Sequence, residues 1–311
     1  MSRQSAGAAG AWWLAIRPRT LWAAVAPVLA GSALALWHGA FAPGWALVAL
    51  AGALLIQVGC NLHNDWADAR HGADTADRVG PTRVTQAGLI PPRQVLGGAL
   101  LMFAGAAALG VAGVVRAGWP LAVLLLACVA AAIGYTGGPR PLGYLGLGDL
   151  LVLVFFGPVA VGATYYLQAL ALPPLVLGVG LGPGLLATAI LVVNNLRDRV
   201  TDERAGKRTL AVRFGDRFAR AEYLACLLAG GLLPPLLLLA AATGGARWPA
   251  LLPLLVMIPA HRVNARLRAT PAGPRLNPLL GSTAQLLLLQ ALLLLAAAGA
   301  AALLAAPQPP A

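Results

Sequence analysis

The chain has 311 residues, of which 59% are hydrophobic and only 10% are charged. A soluble domain carries about 25% charged residues, so the composition excludes an ordinary water-exposed globular protein. The net charge of +12 could indicate a nucleic-acid partner. The basic residues fall in the loops of a membrane topology, however, and we expect no nucleic acid to bind.

Apolar runs of about 20 residues recur along the chain, which is the length that an α-helix needs to cross a bilayer. Only helices and closed barrels span lipid, and barrel strands would show alternating segments of about 10 residues instead. The sequence therefore predicts an all-α, polytopic membrane protein with about nine transmembrane helices. The predicted spans are residues 20–37, 44–62, 95–115, 119–136, 146–168, 174–195, 221–242, 248–261 and 279–305.

The basic residues predict how these spans are oriented. With nine spans, 20 of the 22 Lys and Arg residues fall on the side of the N-terminus, and only Arg116 and Arg247 fall on the other. Loops rich in Lys and Arg stay in the cytoplasm. We therefore predict a multi-pass protein of the cell (inner) membrane, with the N-terminus and the loops after the even-numbered spans in the cytoplasm.

Acidic residues concentrate in two of the predicted cytoplasmic loops. The stretch N-L-H-N-D-W-A-D (61–68) closes the second span, and N-N-L-R-D-R-V-T-D (194–202) closes the sixth. In both stretches an Asn stands four residues before the first Asp, and a second Asp follows three or four residues later. Residues with this spacing share one helix face. The match indicates an internal pseudo-repeat whose two copies converge on one site.

The chemistry of this pattern favours a metal and a phosphate. Neighbouring carboxylates repel one another unless a cation lies between them. Mg²⁺ suits such oxygen ligands, because it binds one or two carboxylates together with waters and substrate phosphates. Metal and basic side chains would together neutralise the charge on a departing diphosphate. The residues predicted for this role are Asn61, Asp65, Asp68, Asn194, Asp198 and Asp202, with the cations Arg78, Arg83, Lys207 and Arg208.

Five stretches carry a family resemblance. Residues 64–83 and 194–215 look like the two signature loops of the UbiA superfamily of intramembrane prenyltransferases, and the G-K-x-T-L-x-V-R-x-G tail of the second loop is highly specific. Within the superfamily the chain resembles the branch that serves menaquinone synthesis. The three shorter stretches are R-P-R-T-L (17–21), Y-T-G-G-P-R-P-L-G-Y (135–144) and G-L-G-D (146–149).

The resemblance implies a fold and an activity. It implies nine helices around a central cavity, a cytoplasmic cap made of the aspartate loops, and Mg²⁺ as cofactor. It also implies transfer of a polyprenyl group from an allylic diphosphate to 1,4-dihydroxy-2-naphthoate, with decarboxylation to demethylmenaquinol. The partners would be the polyprenyl diphosphate, the aromatic acceptor and the lipid bilayer. Residues 1–311 would form one transmembrane domain, embedded over 15–305, with caps near 64–93 and 196–220.

The resemblance also assigns site residues by position. The metal ligands that it implies are Asp65, Asp68, Asp74, Asp198 and Asp202. The predicted diphosphate contacts are Asn61, Asn64, Arg78, Arg83, Asn194, Lys207 and Arg208, and the resemblance implies this role for Lys207. The residues expected to promote ionisation of the substrate are Asp65, Asp68, Asp198, Asp202 and Lys207.

Fewer residues point to the acceptor. The candidates for contacts to the acceptor or to an allylic cation are Tyr135, Tyr144, Asp149 and Tyr165, in or beside the fourth and fifth spans. An aromatic face can stabilise a cation. Tyrosine at a membrane interface also serves as an anchor, so that alternative stays open. Asp149 stands where the resemblance implies an acid, more often Glu.

Other interpretations compete with this one. A UbiA-type enzyme with another aromatic acceptor, such as homogentisate or 4-hydroxybenzoate, would share the metal site. A secondary transporter would also show many helices and an internal repeat. Transporters place coupling carboxylates near the bilayer midplane, however, whereas the acids here gather at one surface. The acids could also be solvated loop charges, although two matched copies favour a metal site.

Overall fold

The computed structural model describes residues 7–72, 80 and 82–305. Within them every regular element is helical, which confirms the predicted all-α class. The α-helices are α1 (Ala8–Ile16), α2 (Trp22–Trp37), α3 (Pro43–Arg70), α4 (Pro92–Ala117), α5 (Trp119–Thr136), α6 (Gly148–Val154), α7 (Ala160–Ala169), α8 (Pro174–Arg204), α9 (Leu210–Ala241), α10 (Met257–Ala269) and α11 (Asn277–Ala305).

Short helices of other types join several of these elements. Proline begins three of the 3₁₀ elements, because its missing N–H and fixed φ suit the first turn of a helix. The 3₁₀ elements are Pro18–Thr20, Leu142–Leu145, Gly244–Arg247, Pro249–Val256 and Pro274–Leu276. A π-helical turn, Phe155–Val159, connects α6 to α7 around Pro158.

Seven helices of the described chain are long and apolar enough to cross a membrane, and the bent pair α1–α2 makes an eighth if it forms one span. The protein is therefore a multi-pass membrane protein. The predicted span at 248–261 is divided between the 3₁₀ element Pro249–Val256 and α10, since prolines interrupt its backbone hydrogen bonding. The count of nine spans stays a prediction.

Helices α3 and α8 run further than the apolar pattern predicted. The predicted spans end at residues 62 and 195, whereas the helices continue to Arg70 and Arg204. Hydrophobicity marks only the part of a helix that lies in lipid, so the polar continuation is invisible to it. Both acidic motifs are consequently helical, at the C-terminal ends of α3 and α8.

Glycines bring α8 close to its neighbours. A Cβ added at Gly184 would overlap the carbonyl oxygen of Leu153, and one at Gly182 would overlap the ring of Pro234. Small residues permit such approach in lipid, where close packing drives helix association. Helix α8 therefore packs tightly between the α6–α7 unit on one side and α9 on the other.

We expect Gly184→Ala to destabilise the protein by about 1–3 kcal/mol, because the added methyl group would push α6 away from α8. Gly299→Ala is the matched control, since a Cβ at Gly299 in α11 meets no atom within 4 Å. Thermal unfolding of both variants in detergent micelles measures the difference. Equal unfolding midpoints for the two variants would contradict the close contact.

Candidate functional site

Asp65 lies at the C-terminal end of α3 and is 1% exposed. Its Oδ1 accepts the backbone N–H of Thr85 at 2.9 Å, and its Oδ2 accepts that of Val84 at 3.1 Å. The guanidinium of Arg17 lies 3.9 Å from the same Oδ2. A buried carboxylate requires such partners. Asp65 thus fastens the segment that precedes α4 to the end of α3.

Asp68, almost one turn further along α3, is held by three parts of the chain. Arg83 donates to its Oδ2 at 2.7 Å, and the hydroxyl of Tyr144 donates to its Oδ1 at 2.6 Å. The ammonium of Lys207 lies 3.5 Å from Oδ1. These donors precede α4, join α5 to α6, and follow α8, respectively. Asp68 is therefore the point at which three connections meet.

Two asparagines of the first motif bind further parts of the chain. Asn61 donates to the carbonyl oxygen of Ile16 at 2.9 Å and to the hydroxyl of Thr20 at 3.0 Å. Asn64 accepts the hydroxyl of Thr136 at 2.6 Å. The connection between α1 and α2 and the end of α5 thereby contact the first acidic motif.

The second motif, at the end of α8, is neutralised by its own arginine. Arg197 donates through Nε and Nη2 to the two oxygens of Asp198, at 2.7 and 2.5 Å. The same guanidinium donates to Asn194 at 2.7 Å and to Asn277 at 3.0 Å. Because Asn277 begins α11, Arg197 also joins α8 to α11.

Lys207 joins the two motifs. The turn after α8 has φ +73° at Gly206, a conformation that favours glycine. It places the ammonium of Lys207 3.5 Å from Asp68 and 3.9 Å from Asp202. The ammonium also lies 4.7 Å from the ring centroid of Tyr144, within cation–π distance. One carboxylate from each motif thus faces the other across a single ammonium group.

A cavity of about 380 Å³ adjoins the first motif, because Asn61 and Asn64 form part of its wall. Gln57 and Tyr135 are further polar residues of the wall. The rest of the wall consists mainly of apolar side chains from α2 to α7. Small-molecule sites combine such apolar lining with a few polar groups. The cavity suits an apolar chain whose polar end lies against the two asparagines.

Four other predicted site residues are not among the contacts described so far: Asp74, Arg78, Asp149 and Tyr165. Asp74 and Arg78 lie outside the described residues. Asp149, in the first turn of α6, is 6% exposed, and neither of its oxygens has a hydrogen-bond partner among the described residues. Tyr165 bonds to His38 at 2.9 Å, just beyond the C-terminal end of α2. Tyr165 is therefore not brought to the acidic motifs.

The region between α5 and α6 packs against the turn after α8. Tyr144, predicted near the acceptor, donates its hydroxyl to Asp68. Its carbonyl oxygen accepts the backbone N–H of Arg208 at 2.8 Å, and the Arg208 side chain is exposed. Tyr144 consequently bonds to the neighbourhood of both motifs.

Sequence reasoning missed several contacts. The residues without a predicted role are Arg17, Thr20, Thr136 and Arg197. The stretches R-P-R-T-L and Y-T-G-G-P were signals that could have found the first three. Arg197 had no such signal, because adjacent residues on a helix do not normally face one another.

The donor set can be tested against the predicted Mg²⁺. Within the described part of the chain, no group of three or more His, Cys, Asp or Glu side chains could hold a metal ion alone. Mg²⁺ needs only one or two carboxylates when waters and substrate phosphates complete its shell. Asp68 and Asp202, on either side of Lys207, form a pair of that kind. The residues therefore fit Mg²⁺ bound together with a diphosphate.

The chain is similar to known proteins over most of its length. The UbiA prenyltransferase family matches residues 24–276. The 1,4-dihydroxy-2-naphthoate octaprenyltransferase of Escherichia coli (strain K12) is 44% identical over 240 residues, which are 75% of this chain and 77% of the relative. The protein of the same name from Mycobacterium tuberculosis (strain ATCC 25618 / H37Rv) is 46% identical over 223 residues, 71% of this chain and 76% of the relative.

A solved structure shares the fold. A UbiA homologue from Archaeoglobus fulgidus, bound to DMAPP and Mg²⁺, matches with a TM-score of 0.62 at 15% sequence identity. The match covers 91% of this chain and 98% of the homologue. At this identity the likeness shows the helical fold alone.

Proposed function

The chain belongs to the UbiA prenyltransferase family, and from that premise we propose that it transfers a polyprenyl group from an allylic diphosphate to 1,4-dihydroxy-2-naphthoate. The ring carboxylate leaves as CO₂, and the product is demethylmenaquinol. The names of the relatives from E. coli and M. tuberculosis support this acceptor. One observation carries the proposal: Asp68 and Asp202 face one another across Lys207, and the first of their motifs borders an apolar cavity.

Mg²⁺ is the cofactor that the donor set supports. Asp68 and Asp202 would hold the ion, with Asp65, Asp74 and Asp198 as further predicted ligands. When bound, Mg²⁺ would neutralise the charge that builds on the departing diphosphate. The A. fulgidus homologue, which is bound to DMAPP and Mg²⁺, supports this choice of ion.

Basic side chains around the acids would bind the diphosphate. Arg17, Arg83 and Lys207 already lie beside Asp65 or Asp68. Charged hydrogen bonds from such groups to phosphate oxygens are strong. Since Asn61 and Asn64 border the cavity, the allylic carbon would lie at this boundary, with the prenyl chain in the apolar space.

The reaction breaks the bond between the allylic carbon and a diphosphate oxygen, and the diphosphate leaves with the electron pair. The mostly apolar cavity wall offers water few hydrogen-bond partners, which disfavours trapping of the allylic cation by water. The ring of Tyr135, in that wall, can stabilise the cation through its face. The electron-rich acceptor ring then attacks at the carbon that bears the carboxylate. Loss of CO₂ returns the electron pair of the broken C–C bond to the ring.

We place this site at the cytoplasmic face of the inner membrane. Under the nine-span topology, 20 of the 22 basic residues share the side that carries both acidic motifs. Basic loops remain in the cytoplasm during membrane insertion. The Arg residues that end α3 and α8, Arg70 and Arg204, agree with that side.

The acceptor assignment is tested with membranes that contain the protein. They receive a polyprenyl diphosphate, Mg²⁺, and either 1,4-dihydroxy-2-naphthoate, homogentisate or 4-hydroxybenzoate. We expect a prenylated product from 1,4-dihydroxy-2-naphthoate, detected by mass spectrometry, and release of label from its carboxyl carbon as CO₂. Membranes without the protein are the control. Prenylation of 4-hydroxybenzoate alone would disprove the assignment.

A further inference from the structure

Lys207 is the one lysine among the 22 Lys and Arg residues of the chain. Arginine binds a carboxylate with a rigid planar fork, as Arg197 does with Asp198. Lysine carries a compact charge on a flexible four-carbon stem. The charge of Lys207 can therefore move between partners more freely than the charge of an arginine held in a planar fork.

The contacts of Lys207 differ from those of the neighbouring arginines. Arg197 pairs with a carboxylate of its own motif, whereas the ammonium of Lys207 lies within 4.0 Å of one acid from each motif. Its side chain is 15% exposed, between an Asp68 that is 2% exposed and an Asp202 that is 13% exposed. Two facing carboxylates repel one another unless a cation separates them. Lys207 supplies a cation that lies near both acids, whereas Arg83 binds the other oxygen of Asp68.

We propose that Lys207 is an internal substitute for the divalent cation. Before substrates bind, its ammonium lies between Asp68 and Asp202 and competes with Mg²⁺ for those carboxylates. The metal can occupy the pair only after Lys207 has moved away. This inference rests on the proposed function, which supplies Mg²⁺ and a diphosphate as ligands. It adds that the binding of one ligand is coupled to the binding of the other.

The diphosphate gives Lys207 a new partner. Its oxygens are strong acceptors for an ammonium group, so a bound diphosphate draws Lys207 away from the acids. The metal then meets Asp68 Oδ1 and Asp202 without the ammonium, while Arg83 stays on Oδ2 of Asp68. By thermodynamic linkage, the metal strengthens diphosphate binding by the same factor. The site thus binds metal weakly until the prenyl donor is present.

The first test measures metal binding alone, with full-length protein in detergent micelles and no diphosphate. Mn²⁺ replaces Mg²⁺, since both ions prefer carboxylate and water ligands. Electron paramagnetic resonance of free Mn²⁺ gives the dissociation constant. We expect Lys207→Met to bind Mn²⁺ at least ~10-fold more tightly than the wild-type protein, because the ammonium near both acids is gone while Arg83 is unchanged.

Two variants serve as controls. Arg204→Gln removes the same charge from an exposed residue three positions earlier, and its Mn²⁺ affinity should stay within about twofold of wild type, because salt screens exposed charges. Lys207→Arg retains a cation and should bind Mn²⁺ about as weakly as wild type. If Lys207→Met binds Mn²⁺ no more tightly than wild type, or no more tightly than Arg204→Gln, the proposal is wrong.

A second measurement needs no substitution. Reductive methylation with ¹³C-formaldehyde labels the single lysine and the N-terminal amine while keeping their charge. We expect saturating Mg²⁺ to shift the methyl NMR signal of Lys207 as its ammonium leaves the carboxylates. An unchanged signal at a Mg²⁺ concentration that displaces bound Mn²⁺ would overturn the proposal. Neither measurement involves the aromatic acceptor, so failure of the acceptor assay and failure of this inference are distinguishable.

Discussion

Replacing Asp68 by asparagine is expected to lower the rate of prenyl transfer about 1,000-fold, or about 4 kcal/mol of lost transition-state stabilisation. Asparagine keeps the shape of the side chain but removes the negative charge that faces Arg83 and Lys207. That charge is also the predicted ligand for the metal that assists departure of the diphosphate. The measurement is kcat/KM for both substrates at saturating Mg²⁺, in the purified protein.

Asp216→Asn is the matched control for this prediction. Asp216 forms a partly exposed ion pair with Arg220 at 2.9 Å within α9, outside both motifs. Exposed pairs contribute about 0–1 kcal/mol, so activity and stability should remain near wild type. More than a tenth of wild-type activity in Asp68→Asn would refute the metal role of Asp68. Thermal unfolding of each variant shows whether lost activity reflects lost structure.

Replacing Arg197 by methionine is expected to destabilise the protein by about 3–5 kcal/mol, because it leaves a buried carboxylate without a counter-charge. The Arg197 side chain is 1% exposed and that of Asp198 is 12% exposed, so water cannot screen the unpaired charge. The variant also loses the hydrogen bond from α8 to Asn277 at the start of α11. Unfolding in detergent micelles, followed by circular dichroism, measures the loss.

The double variant Arg197→Met with Asp198→Asn separates the effect of the unpaired charge from the effect of the lost contacts of Arg197. It removes the unpaired charge, so it should recover at least about half of the lost stability. Arg204→Gln, an exposed substitution at the end of the same helix, should change stability by less than about 0.5 kcal/mol. A double variant no more stable than Arg197→Met would show that lost packing, rather than the unpaired charge, causes the effect.

The single variant Asp198→Asn addresses whether Asp198 binds metal. The sequence pattern predicts Asp198 as a ligand, yet the structure directs both of its oxygens to Arg197. Asp198→Asn that folds but loses activity would support a role in metal binding. Asp198→Asn that is active and less stable would assign Asp198 to the contact between α8 and α11 alone.

Local properties of the sequence were sufficient to predict the fold class and the two acidic motifs of this protein. Apolar runs near 20 residues predicted the helical membrane class, because crossing lipid requires length and hydrophobicity in one segment. Spacing of Asn and Asp predicted the two motifs, because residues three or four apart share a helix face. The apolar pattern, however, placed the end of α3 eight residues too early, at residue 62 instead of Arg70, because only the part of the helix in lipid is apolar.

Contacts between distant segments could not be predicted in this way. The partners of Asp68 are Arg83, Tyr144 and Lys207, and no periodicity links their positions to residue 68. Tyr165 resembled Tyr135 as an acceptor candidate, yet it bonds to His38 away from the acids. Which tyrosine lines the cavity depends on how the helices pack, not on the residue type.

The sequence by itself determined that this chain is a helical membrane protein with two matched acidic motifs and the signatures of the UbiA prenyltransferase family. Only the tertiary structure decided that Lys207 lies between Asp68 and Asp202, and that Arg197 neutralises Asp198. The physical reason is the distance along the chain over which each interaction acts. Hydrophobicity and helix periodicity act between neighbours along the chain, whereas a charge pairs with whichever group the folded bundle brings within about 4 Å.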